Sequence, residues 1–307
     1  MVKQSHMSTG LSFLNACLVM GLIALINTVS AAPITFNNAL PVAEDEFIWR
    51  ELFFYRRATG DPGPMDRKLD VTGLISVLGY GITSDLAVFG VLPYLDKELD
   101  LTMGGQRISR DTSGIGDFSL FGRYTIYRHN APGYNFNIAP FLGIEMPTGD
   151  DNDRDRFGTL PAPLQAGSGS WDPFGGVVMS YQTLDYQVDA QASYKINTED
   201  NNFEFGDEFA FDASVQYRLW PRKLGAGVPG FLYGVLEMSL LHQKKNEIND
   251  SNHPDSGGKS FFLSPGVQYV TRRWVVEAIV QVPVAQDLNS AALEDDFIVH
   301  VGFRIAF

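Results

Sequence analysis

The C-terminal segment has the strictest residue pattern in the chain. From Phe297 to Phe307, apolar residues occupy every second position, and the positions between them include His300 and Arg304. A period of two residues is the signature of a β-strand whose two faces meet different surroundings. The pattern therefore predicts a strand with an apolar face and a polar face that continues to the last residue.

The same residues resemble the assembly signal of bacterial outer-membrane barrels. That signal has a polar residue, a glycine two positions later, and apolar or aromatic residues three and five positions after the glycine. His300, Gly302, Ile305 and Phe307 fill these positions. The resemblance implies recognition by the outer-membrane assembly machinery of a Gram-negative bacterium, and insertion among outer-membrane lipid and lipopolysaccharide.

The N-terminus predicts export. Lys3 precedes an apolar stretch from Leu11 to Ile26, and Val29-Ser30-Ala31 supplies small residues of the kind that signal peptidase reads. The stretch is shorter than the about 20 residues that a membrane-spanning helix needs. We predict that residues 1–31 are a cleaved signal peptide. A lipoprotein signal at Cys17 is the alternative, although its neighbours fit poorly.

Cleavage after residue 31 would leave a strongly acidic chain. It removes Lys3 and no acidic residue, so that 22 basic and 36 acidic side chains remain and the net charge is −14. It also removes Cys17, the only cysteine, so no disulfide can stabilise the exported chain. Such acidity argues against nucleic acid as a partner. Residues 46–307 are predicted to form one domain, preceded by a short periplasmic or lumen-entering segment, residues 32–45.

Twelve segments have the composition of long β-strands. Most have about 10–14 residues, whereas strands of soluble sheets have about 5–6 and a tilted strand crosses a bilayer with about 9–11. The links between them are alternately long and tight, as in outer-membrane barrels, whereas a soluble sandwich or lipocalin has no reason to follow this rule. We predict an all-β fold, a transmembrane antiparallel up-and-down barrel of about 12 strands. The predicted strands are 46–57, 69–80, 84–96, 116–129, 134–147, 173–183, 186–196, 207–220, 230–243, 259–271, 274–285 and 296–307.

In such a barrel the apolar row of each strand faces lipid and the polar row faces the lumen. Residues 69–96 do not alternate cleanly, so their faces cannot be assigned. Pro140 and Pro265 lie inside strands, where distorted pairing is expected. Aromatic residues near strand ends are expected at the membrane interfaces. They are Trp49, Tyr55, Tyr80, Tyr94, Tyr186, Tyr194, Trp220 and Trp274.

Charged residues of both signs are predicted to face the lumen. These pore-lining candidates are Arg123, Glu145, Asp189, Lys195, Asp212, Arg218, Glu237, Glu277 and Arg304. Cross-lumen ion pairs would brace a narrow barrel, whereas rows of opposite charge around an open constriction would select solutes. The two roles are compatible, and the sequence leaves both open.

Three glycine-rich motifs lie in the middle of the chain: Gly114-Ile115-Gly116-Asp117-Phe118, Pro147-Thr148-Gly149-Asp150 and Gly167-Ser168-Gly169-Ser170-Trp171-Asp172-Pro173. Their order and spacing resemble the outer-membrane family described as MetA-pathway phenol-degradation proteins, often labelled transporters. The resemblance covers about residues 46–307 and implies a barrel that takes up hydrophobic or aromatic compounds. The residue types themselves suit tight turns at strand ends. A loop that folds inward and narrows the pore is the alternative.

We therefore expect a channel for passive passage of small, apolar or aromatic solutes, with no chemical step, cofactor or metal. The carboxylates of residues 150–155 lack the downstream Glu of an EF-hand loop and are interpreted as a solvated loop. A barrel lipid hydrolase built on His242, at the outer end of the ninth strand, is an alternative without an identifiable serine. A structural or adhesive barrel acting through loops 148–172 and 244–258 is another.

Overall fold

The computed structural model describes residues 30–223, 227 and 229–307. Within these residues, twelve long strands pair in sequence order, and the first pairs with the last, so the sheet closes into an antiparallel barrel. The strands are β1 Phe47–Gly60, β2 Lys68–Gly81, β3 Leu86–Met103, β4 in three pieces (Gln106–Ile115, Phe118–Tyr124 and Tyr127–Ala131), β5 Tyr134–Met146, β6 Asp172–Thr183, β7 Tyr186–Lys195, β8 Glu208–Trp220, β9 Phe231–Gln243, β10 Gly258–Val270, β11 Trp274–Leu288 and β12 Glu294–Ala306.

Closure gives every strand two neighbours, so the backbone N–H and C=O groups are paired inside the sheet, as lipid requires. The C-terminal residue takes part, because the Phe307 amide donates to the Phe47 carbonyl (3.0 Å) and the Phe307 carbonyl accepts a hydrogen bond from the Phe47 amide (2.8 Å). The predicted fold, a transmembrane barrel of about 12 strands, is confirmed. Among the described residues, no helix is long and apolar enough to span a membrane. The predicted signal peptide lies outside them, apart from Ser30 and Ala31.

The strands are joined by tight turns at one end of the barrel and mostly by long loops at the other. Because short turns are periplasmic and long loops extracellular in such barrels, this arrangement sets the orientation. The prediction of a long outer link over residues 97–115 is wrong. β3 and β4 continue to Met103 and from Gln106, joined by Gly104-Gly105 with positive φ at both positions. Both faces of this hairpin carry charged residues, such as Lys97 and Glu98. It therefore lacks the apolar row that identifies a membrane-facing strand in the sequence.

Both strand prolines distort the ladder, as predicted. Opposite Pro140, the pairing of β4 with β5 jumps from Arg123–Phe141 to Tyr127–Ile138, which leaves a bulge in β4. Pro265 pairs with β9 but has no partner in the described part of β11. Proline lacks the amide hydrogen that a ladder needs on one side.

The outward rows are apolar, as expected for a lipid-facing wall. All eight aromatic residues predicted at the interfaces lie on these rows, half-buried or exposed. Glu51 is an exception, because it is a carboxylate on an outward row. Its oxygens accept hydrogen bonds from the Trp49 indole nitrogen (2.7 Å) and from the Ser76 hydroxyl (2.8 Å), which satisfy the group locally.

Candidate functional site: the barrel lumen

The chain before β1 lies inside the barrel. Residues 30–46, called here the N-terminal segment, run across the lumen, and the Glu237 carboxylate is their strongest anchor. It accepts hydrogen bonds from the Ile34 amide (2.6 Å), the Thr35 amide (3.2 Å) and the Thr35 hydroxyl (2.5 Å). Ile34 and Glu237 are almost completely buried. A carboxylate that accepts several hydrogen bonds is a strong clamp in a site shielded from water.

Other inward side chains hold the rest of the segment. Arg123 donates to the carbonyls of Asn38 (2.5 Å) and Leu40 (2.7 Å), and the Ser180 hydroxyl accepts the Ala39 amide (2.7 Å). Further contacts come from Gln268 to the Ala32 carbonyl (2.5 Å) and from Arg304 to the Ser30 carbonyl (2.7 Å). Gln268 and Arg304 lie two residues before the periplasmic ends of β10 and β12. The N-terminal segment therefore lies in the periplasmic half of the lumen.

The side chains of all nine pore-lining candidates point inward. Arg123, Glu237 and Arg304 hold the N-terminal segment. Glu277 pairs with Arg50 (Oε1 to Nε, 2.8 Å), and Lys195 pairs with Glu145 (Nζ to Oε1, 2.7 Å). The remaining candidates have nearby partners. They are Asp189 with Ser180 and Gln187, Asp212 with Ser239 and Gln191, and Arg218 with Asp185.

Beside the N-terminal segment is a cavity of about 580 Å³, called here the central cavity, whose lining includes Ile34, Asn37 and Val42 of that segment. One side is polar and includes Gln191, Ser193 and Asp212. The other side, contributed by β1 to β4, is mostly apolar, although Arg50, Ser119 and Arg123 also lie there. Its apolar residues are Ile48, Leu52, Ile75, Val77, Phe89, Val91 and Phe121. The sequence left the faces of residues 69–96 unassigned, and the structure gives the reason: in β2 and β3 both faces carry apolar side chains.

Glycines on neighbouring strands make room for the lumen phenylalanines. A Cβ at Gly79 would lie 2.6 Å from the Phe89 ring, and one at Gly143 would lie 2.6 Å from the ring of Phe174. The rings therefore lie against the wall over bare backbone, and Phe89 stacks on Phe121 with centroids 4.8 Å apart. This packing holds the rings flat in the wall of the central cavity, so they do not project into its interior.

Two smaller cavities continue from the central cavity toward the outside. The first, about 280 Å³, shares Phe174, Gln191 and Ser193 with the central cavity. The second, about 260 Å³ and called here the outer cavity, shares Glu145, Lys195 and Glu208 with the first. The three cavities lie in series, so the lumen offers a path from the extracellular end down to the N-terminal segment.

Asp117 joins the three glycine-rich motifs over the outer cavity. Its Oδ1 accepts the amides of Thr148 (3.0 Å) and Gly149 (2.9 Å), and its Oδ2 accepts the amide (2.6 Å) and hydroxyl (2.8 Å) of Ser168. A Cβ at Gly149 would lie 2.8 Å from the Gly116 backbone, so the loops touch where only glycine fits. The motifs thus serve the predicted turn chemistry and also fasten the β5–β6 loop, residues 147–171.

The β5–β6 loop folds inward at its far end. Lys97 in β3 donates to the carbonyls of Gln165 (2.5 Å) and Pro163 (3.2 Å), and the loop residues 165–168 line the outer cavity. Arg110 binds Asp155 in the same loop (2.7 and 2.9 Å) and holds the pKa of that carboxyl below its ordinary value. The carboxylates of residues 150–155 thus include a structural ion pair, and the described residues contain no metal-binding cluster.

Sequence reasoning missed several inward residues. Arg50, Gln268 and Ser180 share the inward rows with the pore-lining candidates. Strand parity would have found Arg50 if it had been applied to β1, and Gln268 and Ser180 if it had been extended to amides and hydroxyls. His242 is exposed on an outward row, and its side chain makes no hydrogen bond among the described residues. His300 and Gly302 of the assembly signal face the lumen, and the role of that signal stays a prediction.

The family model described as "Putative MetA-pathway of phenol degradation" matches residues 58–285. An outer membrane channel from Pseudomonas putida F1 has a similar fold, with a TM-score of 0.67, 14% identity, and coverage of 91% of this chain and 100% of that chain. Two other barrels are more distant. The β-domain of the Bordetella autotransporter BrkA has a TM-score of 0.47 and 14% identity, with coverage of 86% of this chain and 100% of that chain. The NanC porin has a TM-score of 0.46 and 10% identity, with coverage of 84% of this chain and 98% of that chain. No curated protein matches the sequence. At these identities the structural likeness concerns the fold alone.

Proposed function

Because the chain belongs to the family described as "Putative MetA-pathway of phenol degradation", we propose that it is an outer-membrane channel through which small apolar or aromatic solutes pass passively. The observation that carries the proposal is the central cavity, which has an apolar wall inside a barrel whose outward rows are already apolar. A lumen that only conducts water and ions needs no such wall.

The size and shape of the cavities support this role. Ligand sites are mostly apolar clefts of about 300–1,000 Å³ with a few polar groups. The central cavity, at about 580 Å³, fits that description. The half-buried ring of Phe174 offers a stacking surface to an aromatic solute, which gains binding free energy from offset or edge-on contact. The outer cavity supplies the path from outside.

The N-terminal segment narrows the way by which a solute leaves toward the periplasm. It lies in the periplasmic half of the lumen and is fastened by Glu237, Arg123 and Arg304. The inward charges therefore act first as braces and clamps. Passage involves no chemical step in this proposal, and lipopolysaccharide and the assembly machinery are partners only of insertion and residence in the membrane.

The test is binding to protein purified from outer membranes and reconstituted into nanodiscs. We expect isothermal titration to detect benzyl alcohol and toluene above the signal of empty nanodiscs, and to detect no glucose. Ile75→Asp places a carboxylate in the apolar wall and should weaken benzyl alcohol binding by about tenfold or more, since burying a charge beside an apolar ligand costs more than 1.4 kcal/mol.

The matched control is Val71→Asp, on the same inward row of β2 but outside the residues that line the central cavity. If the wild-type protein binds none of the aromatic probes, or if both variants bind benzyl alcohol as well as the wild type does, the proposed function is wrong.

A further inference from the structure

Three carboxylates and one ammonium group lie side by side on four consecutive strands, β5 to β8. Glu145 is directly opposite Asp172, and Lys195 is directly opposite Glu208 in the strand register. Phe174, two residues from Asp172 on the same inward row, is opposite Lys195 and so joins the two pairs. Glu145, Lys195 and Glu208 border both the outer cavity and the cavity beneath it. A solute that descends the lumen must pass them.

The single ammonium group does not neutralise these carboxylates. Lys195 Nζ is 2.7 Å from Glu145 but 3.6 Å from Asp172 Oδ2. Asp172 is fully buried (0% exposed), and its Oδ1 accepts hydrogen bonds from Ser170 and Thr198 (both 2.9 Å). Its Oδ2, on the side of the outer cavity, accepts none. Glu208 has no ion pair among the described residues.

Cations on the opposite wall are already engaged. Lys97 donates to two carbonyls of the β5–β6 loop, and Arg56 of β1 is paired with Asp295 (2.6 Å). Asp117, which also lines the outer cavity, adds a fourth carboxylate to that cavity, against the two ammonium groups of Lys97 and Lys195. The electrostatic potential at this level of the lumen is therefore negative.

We propose that Glu145, Asp172 and Glu208 form an acidic filter that admits neutral and cationic aromatic solutes and excludes anionic ones. The inference rests on the proposed function and adds the charge class of the solute. Rings of Asp and Glu select cations in channels, since a narrow passage offers little water to screen the fixed charge. The buried Asp172 Oδ2 accepts no hydrogen bond, so its negative charge is only partly compensated by Lys195 and repels a carboxylate in the path. Glu208, which has no ion pair among the described residues and borders the path, can accept a hydrogen bond from a hydroxyl or an ammonium group.

Benzyl alcohol, benzylamine and benzoate test the filter, because they share one ring and at pH 7.5 are neutral, cationic and anionic. We expect the wild-type protein in nanodiscs to bind benzoate at least about tenfold more weakly than benzyl alcohol. Three carboxylates against one ammonium group leave a net negative charge, and a net charge within about 8 Å repels an anion strongly at an effective dielectric constant near 20. Benzylamine should bind at least as tightly as benzyl alcohol.

The double variant Glu145→Gln/Glu208→Gln should bring benzoate within about threefold of benzyl alcohol, because it removes two of the charges that oppose the anion. Glu208→Gln alone removes a carboxylate without an ion pair, so it preserves the packing and should produce part of the same shift. The control, Asp96→Asn/Glu98→Gln, removes two carboxylates from outward positions of β3 and should leave the selectivity of the wild type unchanged. Heat-modifiable electrophoresis verifies folding of each variant.

The outcomes separate the filter from the function. If all three probes bind the wild type equally, the channel stands and the acidic filter is wrong. The filter is also wrong if the outward control shifts the selectivity as much as the lumen variants do. If no probe binds at all, the proposed function itself fails.

Discussion

The two halves of the lumen wall differ in what they present to a solute. From β6 to β11 the inward rows carry amides, hydroxyls and charges such as Gln187, Asp189 and Glu277, which are buried in hydrogen-bonded networks. From β1 to β4 the inward rows are mostly aliphatic or aromatic, with Ile75 and Phe89 as examples. The polar half supplies most of the hydrogen bonds that hold the N-terminal segment. The apolar half adds those of Arg50 and Arg123 and packs against Ile34, Ala39 and Val42. The rest of its apolar surface faces the central cavity, where it can contact a solute.

The sharpest test of this contrast compares two neighbouring residues of β2. Leu74 faces lipid and Ile75 faces the central cavity. We expect Leu74→Lys to lower the free energy of unfolding by about 2–4 kcal/mol, the cost of a lysine on the lipid face near the bilayer midplane. Ile75→Lys should cost less than about 1 kcal/mol, since its ammonium group reaches the lumen. Urea unfolding in lipid vesicles measures both, and equal losses would contradict the assigned faces.

The clamp in the polar half predicts the next largest effect. Glu237→Ala removes three hydrogen bonds from the N-terminal segment, each contributing about 1–3 kcal/mol because the acceptor is charged. The segment should then leave the lumen more often. In protein that starts at residue 32, as the predicted cleavage would leave it, a cysteine introduced by Asn37→Cys is unique. We expect a maleimide to label it at least about tenfold faster in the Glu237→Ala background. Labelling at the rate of Asn37→Cys alone would show that other contacts suffice.

A smaller change tests the packing of the apolar half. Gly79→Ala would place a Cβ 2.6 Å from the Phe89 ring and 2.7 Å from a second ring atom, so the ring must tilt into the central cavity. We expect a loss of about 1–3 kcal/mol in stability from overpacking and a several-fold loss in benzyl alcohol affinity. Gly122→Ala is the control, because nothing lies within 4 Å of its added methyl group. Equal affinities for the two variants would rule out this role of the ring.

The smallest effect concerns the loop above the apolar half, residues 61–67. Arg67 donates to Asp61 from its backbone (2.7 Å) and its guanidinium group (2.7 and 3.1 Å), which lowers the pKa of that carboxyl to about 2. Because the folded pKa lies below the usual value near 3.9, the contribution to stability is complete at neutral pH, declines below about pH 4 and is lost near pH 2.

NMR titration of the Arg67 amide should follow this transition. The Asp61→Asn variant should lack it. A midpoint near pH 4 in the wild-type protein would mean that the Arg67 contact contributes nothing to the loop.

The contrast between the two halves also explains what the sequence could reveal. The strands from β7 to β12 alternate apolar and polar residues, so their bounds and faces follow from a period of two. In β2 and β3 both faces are apolar, the period disappears, and the faces become visible only once neighbours are known. Asp117 was recognised as turn chemistry, but its partners Thr148 and Ser168 lie 31 and 51 positions away. No local sequence pattern predicts these contacts of Asp117, and none predicts the path of the N-terminal segment through the lumen.

The position of the N-terminal segment also constrains the order of folding. Ala32 and Gln268 are in contact across 236 positions of sequence, and the other anchors lie on β4, β6, β9 and β12. Contacts between such distant residues carry a high loop-closure entropy and form late. We therefore expect the N-terminal segment to take its place in the lumen last, after β12 has paired with β1. Its protection from protease would report that insertion of the whole barrel is complete.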